Sequence, residues 1–411
     1  MTSLACLLKD LGHTVVGSDT EDEYFTSSIL RNKKIEVLLF DKNNITSEYT
    51  YIISNAYDSK NEEVSKIILN DFKYFYYDKF IGSEMKNDII AISGTHGKTT
   101  TTSFLAQMYN NEVSYIIGDG SGYGTKKSNL LILESCEYKD HFLSYTPHIA
   151  LITNIDFDHP DYFLDINDVI NSFQKFAYQT NMLVINNDDE NCRRINHDYI
   201  YTFGFNNSSD YIIKIVKEDI NGYFIELFDK RNDKYFYFNI PFLGVHYIYD
   251  FVGAFVIMKL LNKDPNLSNL KLPNRRMTEY MFNNNILIDD YAHHPSEIQC
   301  LYNAIKLKYS GYKLNVIFQP HTYSRTIALQ DEFIKSLDLF DSVYIEKTFT
   351  SKREKDNLDN ENLVNKLFEK YKKFDKEIIN KIDGNKKEIW IFLGAGIVNK
   401  YISIILNKNK V

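Results

Sequence analysis

The sequence predicts an α/β protein with mostly parallel sheets, in three domains spanning residues 1–86, 87–268 and 269–411. Two observations carry this. Apolar runs at Ile89–Ile92, Leu130–Leu133, Ile149–Ile155 and Met182–Ile185 are continuous instead of alternating, as in strands buried on both faces, and other segments separate them. The same rhythm resumes at Ile286–Ile288, Leu314–Phe318 and Ile389–Leu393, after a junction at Leu272–Arg276. With 411 residues the chain is long enough for two or three full cores.

Composition narrows the function class. Apolar residues at 44% and charged residues at 25% are ordinary for a soluble globular protein. A net charge of −8 disfavours a nucleic-acid partner, which would require a basic face. The four cysteines lie far apart with no CxxC, which suits reduced thiols better than a disulfide framework or a zinc site. No apolar run approaches the length of a membrane span, and the N-terminus lacks the basic segment and cleavage site of a signal peptide. The expectation is a cytoplasmic protein without membrane insertion, acting on small molecules as a monomer or weak homodimer.

Residues 2–10 read as a helix, and Gly12–Asp19 as a strand ending in an acid. Further strands are expected at Ile35–Phe40 and Tyr51–Ser54. This is a Rossmann-like pattern, in which an acidic residue ends the second strand about 20 residues after a glycine-rich turn. Asp19 occupies that place, but the turn and first strand do not precede it. Either the domain has lost its phosphate-binding turn or the natural start lies upstream. The second fits better, because a parallel sheet that starts here lacks its central strand.

The second domain opens on Ile89-Ile90-Ala91-Ile92-Ser93-Gly94-Thr95-His96-Gly97-Lys98-Thr99-Thr100. A strand feeds a glycine turn, and a helical pattern through Phe104, Leu105 and Met108 follows. Backbone N–H groups at such a helix start, with the helix dipole, make an anion site. Lys98 would reach the β- and γ-phosphates, and the Thr99 hydroxyl would ligate Mg²⁺. The loop is shorter than the general motif, which wants glycine where Ile92 stands. Ile116–Gly122 reads as a flexible turn. Two later strands end in Glu134 and in Asp156-Phe157-Asp158-His159-Pro160, on the sheet edge where open α/β folds bind ligands. A carboxylate and an imidazole beside a triphosphate suggest metal ligation. Tyr201–Ile240 alternates, as expected for an antiparallel region, and Phe251–Leu261 reads as a buried helix.

In the third domain, paired arginines Arg275 and Arg276 suit bidentate binding of phosphate or carboxylate. Asp289-Asp290-Tyr291-Ala292-His293-His294-Pro295 follows a strand and ends at a helix start. Gln319-Pro320-His321-Thr322-Tyr323-Ser324-Arg325 follows the next.

The loop GTHGKTTTT, the block ESCEYKDHFLSYTPHIALITNIDFDHPDYF, and the DDYAHHP and FQPHTYSRT blocks together resemble the Mur ligases, ATP-dependent amino-acid ligases of peptidoglycan synthesis. The likeness runs over essentially the whole chain from residue 3. It implies a UDP-sugar-binding first domain, an ATP-binding second and an amino-acid-binding third. It further implies that Gly94, Thr95, His96, Gly97, Lys98, Thr99 and Thr100 cradle ATP, with Arg275 and Asp290 also at the nucleotide. Thr99, Glu134 and His159 would hold Mg²⁺. Arg276 would reach the acyl group, Tyr291 and His293 would face the substrates, and His321 and Arg325 would bind an alanine carboxylate. The implied reaction joins L-alanine to the lactyl carboxylate of UDP-N-acetylmuramate through an acyl phosphate, with Lys98, Glu134, His159, Arg276 and His293 as its catalytic set. His293 and His321 both stand as candidate bases for the amine.

Two positions depart from the family pattern. Asp250 stands where an asparagine is usual near the adenine, and a carboxylate cannot donate an amide's hydrogen bonds. Ile397 stands where an aspartate is usual. These departures and the missing glycine turn motivate an alternative, a catalytically impaired ATP-binding homologue. A sibling ligase with another acceptor is the remaining alternative.

Overall fold

The computed structural model describes residues 1–20, 24, 26–350, 354, 357–382 and 386–407. Two large, mostly parallel sheets dominate it, each covered by helices on both faces. The central sheet has ten strands, in the order 234–240, 222–229, 211–219, 200–204, 182–186, 149–152, 88–93, 130–134, 114–116, 122–123. Its middle pairs are parallel, as the continuous apolar runs require, and Ile90, Ile132, Ile149 and Leu151 are fully buried. The expected antiparallel region starts one strand later than its alternation suggested. Ile200–Gly204 pairs in parallel on both sides, and the antiparallel pairing of this region begins with Tyr211–Asp219, Gly222–Asp229 and Lys234–Ile240; the short edge pair Ser114–Ile116 with Gly122–Tyr123 is antiparallel as well.

Register decides what meets at the ligand edge. Ile92 lies opposite Glu134, and Ser93 opposite Ile152. Glu134 therefore ends its strand beside the residue that enters the phosphate loop, and the Thr153–Asp158 turn begins on the loop's other side. The helix Lys98–Met108 leaves the loop and packs by Phe104 and Leu105 against the helix Val245–Leu260. That second helix is apolar nearly all round, which is why it can be sandwiched within the core.

The second large sheet runs 278–282, 285–290, 388–393, 313–318, 342–345, 372–373, with one antiparallel hairpin at Thr278–Asp290 and parallel pairs elsewhere. Asp290, Leu393 and Phe318 share a register line, so the motifs that follow these strands emerge together on one edge.

The first 86 residues contain the expected strands as Val16–Asp19, Glu36–Leu39 and Tyr51–Ile53, together with Tyr74–Tyr76, which the sequence reading had not marked. They do not form one doubly wound sheet. The first two pair in parallel, the last two pair in parallel, and among the described residues no ladder joins the pairs. The helix Thr2–Asp10 buries Leu4 and Leu7 in the central sheet's own cluster, with Ile89, Ile116 and Leu133. Gly122 and Gly124 are required by that contact. A β-carbon on Gly122 would lie 1.9 Å from the Ser3 carbonyl, and one on Gly124 2.3 Å from that of Leu7. The glycine segment read as a flexible turn is thus partly a docking face for the first helix.

No helix among the described residues is long and apolar enough to cross a membrane.

Candidate active site

The phosphate loop is held from below by the turn after Ile149–Ile152. Thr95 donates its N–H to the Asn154 carbonyl at 3.0 Å, and its Oγ1 accepts from the Asp156 N–H at 2.8 Å. Asn154 closes a reciprocal pair with His96: its Oδ1 accepts from the His96 N–H at 2.9 Å and its Nδ2 donates to the His96 carbonyl at 2.9 Å. Gly94 and Gly97 have φ of 134° and 80°, and neither tolerates a side chain. A β-carbon on Gly94 would sit 2.0 Å from Thr153 Oγ1, and one on Gly97 2.4 Å from Asp250 Oδ1. The loop is therefore a preformed turn that lines the cleft at the start of the Lys98–Met108 helix, with the N–H groups of Thr95 and His96 already bonded to Asn154.

Lys98 folds back over its own loop. Its Nζ donates to the Gly94 carbonyl, to Thr95 O at 3.0 Å, and pairs with Glu137 Oε2 at 2.9 Å. Burial opposes its charge, but attraction to Glu137, with smaller contributions from Cys136 and Glu134, outweighs this and holds the ammonium protonated. The same attraction, added to that of His159, overcomes burial at Glu137 and holds its carboxyl down at about 2. Glu137 was not singled out in the sequence. Its signal was its place three residues after Glu134, in a motif where only the strand-end acid attracted notice.

Thr99 Oγ1 donates to Glu134 Oε1 at 2.8 Å, and the Gly118 N–H donates to Glu134 Oε2 at 2.5 Å. Gly118 lacks a side chain where one would meet the Glu134 carboxylate at 2.6 Å. His159 turns toward Glu137 Oε1 at 3.6 Å and Asp158 Oδ2 at 3.7 Å. The expected Mg²⁺ set is thus a contacting pair, Thr99 and Glu134, with His159 reaching in through Glu137. Hydroxyl and carboxylate oxygens are the donor types that Mg²⁺ prefers.

From the other sheet, Asp290 accepts from the N–H groups of Met277 at 2.7 Å and Ala292 at 2.8 Å, and burial raises its carboxyl to about 6. Glu297, also missed, is the hub of this side. It pairs with Arg276 Nη1 at 3.3 Å and accepts from the His293 N–H at 3.0 Å. It lies in the first turn of the helix Pro295–Lys308, where an acid caps freed N–H groups, so a helix-start reading of His294-Pro295-Ser296-Glu297 could have found it. Arg276 and Asp290, with Tyr249 and Asp250 of the central helix, line a smaller cavity of about 190 Å³ behind the loop, together with Thr100.

Two arginines stand differently from expectation. Arg275, expected at the nucleotide, is built into its own sheet. Its Nε lies 3.2 Å from Asp289 Oδ1, and its two terminal nitrogens donate to the carbonyls of Gly396 and Gly394 at 2.9 and 2.6 Å. The guanidinium is 6% exposed and faces neither cavity, so it organises the loop after Glu388–Leu393. Arg325, expected to bind an alanine carboxylate, already holds one: it pairs through two nitrogens with Asp158. Its third nitrogen donates to His321 Nδ1 at 2.9 Å.

Lys98, Thr99, Glu134, His159, Arg276, Tyr291, His293, His321 and Arg325 converge on one cleft of about 2160 Å³, whose other wall is the first 86 residues. The Gly94–Thr100 turn, the Thr99–Glu134 pair and the side chains of Arg276, His293, His321 and Arg325 line it together. Ile397 lines the same cleft and brings no carboxylate to it.

Residues 121–258 match the model of the Mur ligase middle domain, and residues 1–88 match that of the Mur ligase family catalytic domain. A UDP-N-acetylmuramate–L-alanine ligase of Streptococcus sanguinis is 36% identical over 98% of this chain and 93% of its own length. The chain belongs to the Mur ligase family. A second relative of the same name, from Streptococcus agalactiae, is 35% identical over the same shares. Among solved Mur ligases, the UDP-N-acetylmuramate–alanine ligase MurC of Thermotoga maritima superposes with a TM-score of 0.80 at 20% identity, covering 100% of this chain and 96% of that one. A murein peptide ligase of Psychrobacter arcticus gives a TM-score of 0.75, covering 99% and 96%. The Mur ligase fold therefore extends through the residues beyond the two family matches, including the sheet that carries Asp290, His293 and Arg325.

Proposed function

We propose that the chain joins L-alanine to the lactyl carboxylate of UDP-N-acetylmuramate at the expense of ATP, in the cytoplasm, as a step of peptidoglycan precursor synthesis. The observation that carries this is the cleft itself, lined by the Gly94–Thr100 turn, the Thr99–Glu134 pair and the side chains of His321 and Arg325, in a chain 36% identical along nearly its whole length to ligases of that name.

A carboxylate and an amine do not condense in water, so the carboxylate must be activated. Gly94–Thr100 hold the triphosphate, with the base directed toward the cavity behind the loop. Thr99 and Glu134, with His159, would hold Mg²⁺, which when bound would neutralise charge developing between the phosphates. Lys98 leaves its own loop carbonyls to meet the γ-phosphate, while Glu137 keeps it charged. Attack of the lactyl oxygen on that phosphorus gives an acyl phosphate and ADP. The alanine amine then attacks the acyl carbon, and phosphate leaves. Arg276 faces the cleft to offset the charge of the acyl group.

The amine must lose a proton, and the hydrogen bonds place the ring protons of the two histidines differently. His293 Nδ1 lies 3.0 Å from the Tyr291 carbonyl, so it carries the proton and Nε2 is the acceptor. His321 Nδ1 accepts from Arg325, which places its proton on Nε2. Burial holds the His293 imidazolium pKa down at about 3, so the ring is neutral at pH 7. His293 therefore offers an acceptor nitrogen, but so low a pKa makes it a weak base, and the geometry does not choose between the two rings.

The purified chain with Mg²⁺ and ATP should release phosphate only when UDP-N-acetylmuramate and L-alanine are both present. Release with either alone, or ATP binding with no release, would overturn the proposal. Glycine and serine in place of L-alanine test the sibling-ligase reading.

A further inference from the structure

We propose a second metal site, separate from the magnesium pair, at His96, Asp156 and His294, for a borderline transition ion such as Zn²⁺. One ligand atom from each of the three lies within 4.8 Å of the others. His96 Nε2 and Asp156 Oδ2 are 3.8 Å apart, and the two imidazole rings are 4.5 Å apart between centroids. Ligand atoms around a tetrahedral zinc stand roughly 3.3–3.4 Å apart, given bonds of about 2.0–2.1 Å, so the side chains must draw in, and His96 Nε2 must give up the Ser296 Oγ that lies 3.2 Å from it.

A second observation points to a ligand. His294 is 5% exposed, and its Nε2 has no hydrogen-bond partner among the described residues. A buried ring nitrogen left unpaired is costly, and a metal bond is one way to satisfy it. The other nitrogen, Nδ1, is 2.7 Å from Ser296 Oγ. Nδ1 also accepts from the Ser296 backbone N–H at 3.4 Å, so a metal at Nε2 shifts the ring proton to Nδ1, where the Ser296 hydroxyl can accept it.

Two imidazoles and one carboxylate suit zinc, cobalt or nickel, whereas Mg²⁺ prefers all-oxygen sites. The three residues also come from both sides of the cleft. His96 belongs to the phosphate loop, Asp156 to the turn beneath it, and His294 to the start of the Pro295–Lys308 helix. An ion here ties the loop to the second sheet's edge and fixes a side chain of the nucleotide cradle. The predicted effect is inhibition by zinc that excess Mg²⁺ does not relieve. The metal site itself does not depend on the reaction proposed above.

The test is optical titration of the chelator-treated full chain with Co²⁺ in excess Mg²⁺. The parent should take up about one ion with visible d–d bands, displaced by Zn²⁺. His294→Gln and Asp156→Asn, checked for native circular dichroism, should weaken binding at least tenfold, while His197→Ala, at a remote imidazole, should not. Absence of bands in the parent, or equal affinity in His294→Gln and Asp156→Asn, would overturn the site. His294→Ala repeats the measurement should the glutamine variant misfold. Phosphate release measured with and without Zn²⁺ then reads whether occupancy inhibits.

Discussion

Arg325 and Asp158 form a buried bidentate ion pair between the two large sheets, with Nε–Oδ1 at 2.7 Å and Nη2–Oδ2 at 3.0 Å. Both side chains are under 9% exposed. Attraction to Arg325 and His159 holds the Asp158 carboxyl well below its usual range in spite of burial. A pair so placed acts as a latch. Removing one partner leaves the other charge buried and unpaired, a cost of about 3–5 kcal/mol that opening can relieve by exposing it to water. Asp158→Asn should therefore swing the second sheet outward, seen as a larger radius of gyration in solution scattering of the ligand-free chain. Arg325→Lys, which keeps the charge and loses the fork, should do the same more weakly. Scattering curves that superimpose on the parent's would show that the pair does not hold the cleft closed.

That latch also marks the limit of what the sequence could convey. Strands with continuous apolar runs were legible because burial on both faces leaves a local signature, and the Gly94–Thr100 turn was legible because strand, glycine turn and helix follow one another in the chain. Arg325 and Asp158 are 167 residues apart, and nothing local in either segment announces the other. Arg275 shows the same limit from the other direction. Adjacent arginines look alike in sequence, yet Arg276 lines both cavities and Arg275 binds the carbonyls of Gly394 and Gly396. The first 86 residues gave up their strands but not their pairing, which depends on which neighbouring strands are there to bond.

Glu137 should prove as important as Lys98. Among the described residues its carboxylate is the one that pairs with the Lys98 ammonium, at 2.9 Å, and it also lies beside His159. Glu137→Gln keeps the size and removes the charge. The expected result is phosphate release slowed by roughly 10–100-fold, the scale of losing one preorganised electrostatic contact, with ATP affinity reduced much less. Measurement of kcat and KM for ATP separates the two. An unchanged kcat would mean that Lys98 is held adequately by the loop carbonyls alone.

Gly97→Ala should abolish nucleotide binding while sparing most of the fold. The position has φ of 80°, and the new β-carbon would lie 2.4 Å from Asp250 Oδ1. Left-handed strain of about 1 kcal/mol adds to the clash, and the two together should lower stability by roughly 1–3 kcal/mol. Equilibrium dialysis with ATP should find binding lost in a variant whose circular dichroism matches the parent's. Retained binding would mean the loop reshapes readily and is not a preformed turn.

Asp250 carries the departure that most threatened nucleotide recognition, and its surroundings answer it. Burial raises its carboxyl to about 7, against smaller opposing effects from Thr101 Oγ1, 3.1 Å away, and from Arg276. Near neutral pH the protonated form is substantially populated, and a carboxylic acid, like an amide, donates as well as accepts. The folded pKa lies above the unfolded value of about 3.9, so the folded chain holds this proton while the unfolded chain releases it. The resulting stability is fully present below about pH 4 and is lost as pH rises to about 7 and beyond. Asp250→Asn removes that dependence. In urea denaturation the variant should gain on the parent as pH rises from 4 to 8, by on the order of 2–4 kcal/mol, and the gap should level off above that. A gap that stays constant over this range would show the carboxyl ionising as an exposed acid does. Function should follow the same proton: KM for ATP should rise above about pH 7 in the parent and stay level in Asp250→Asn.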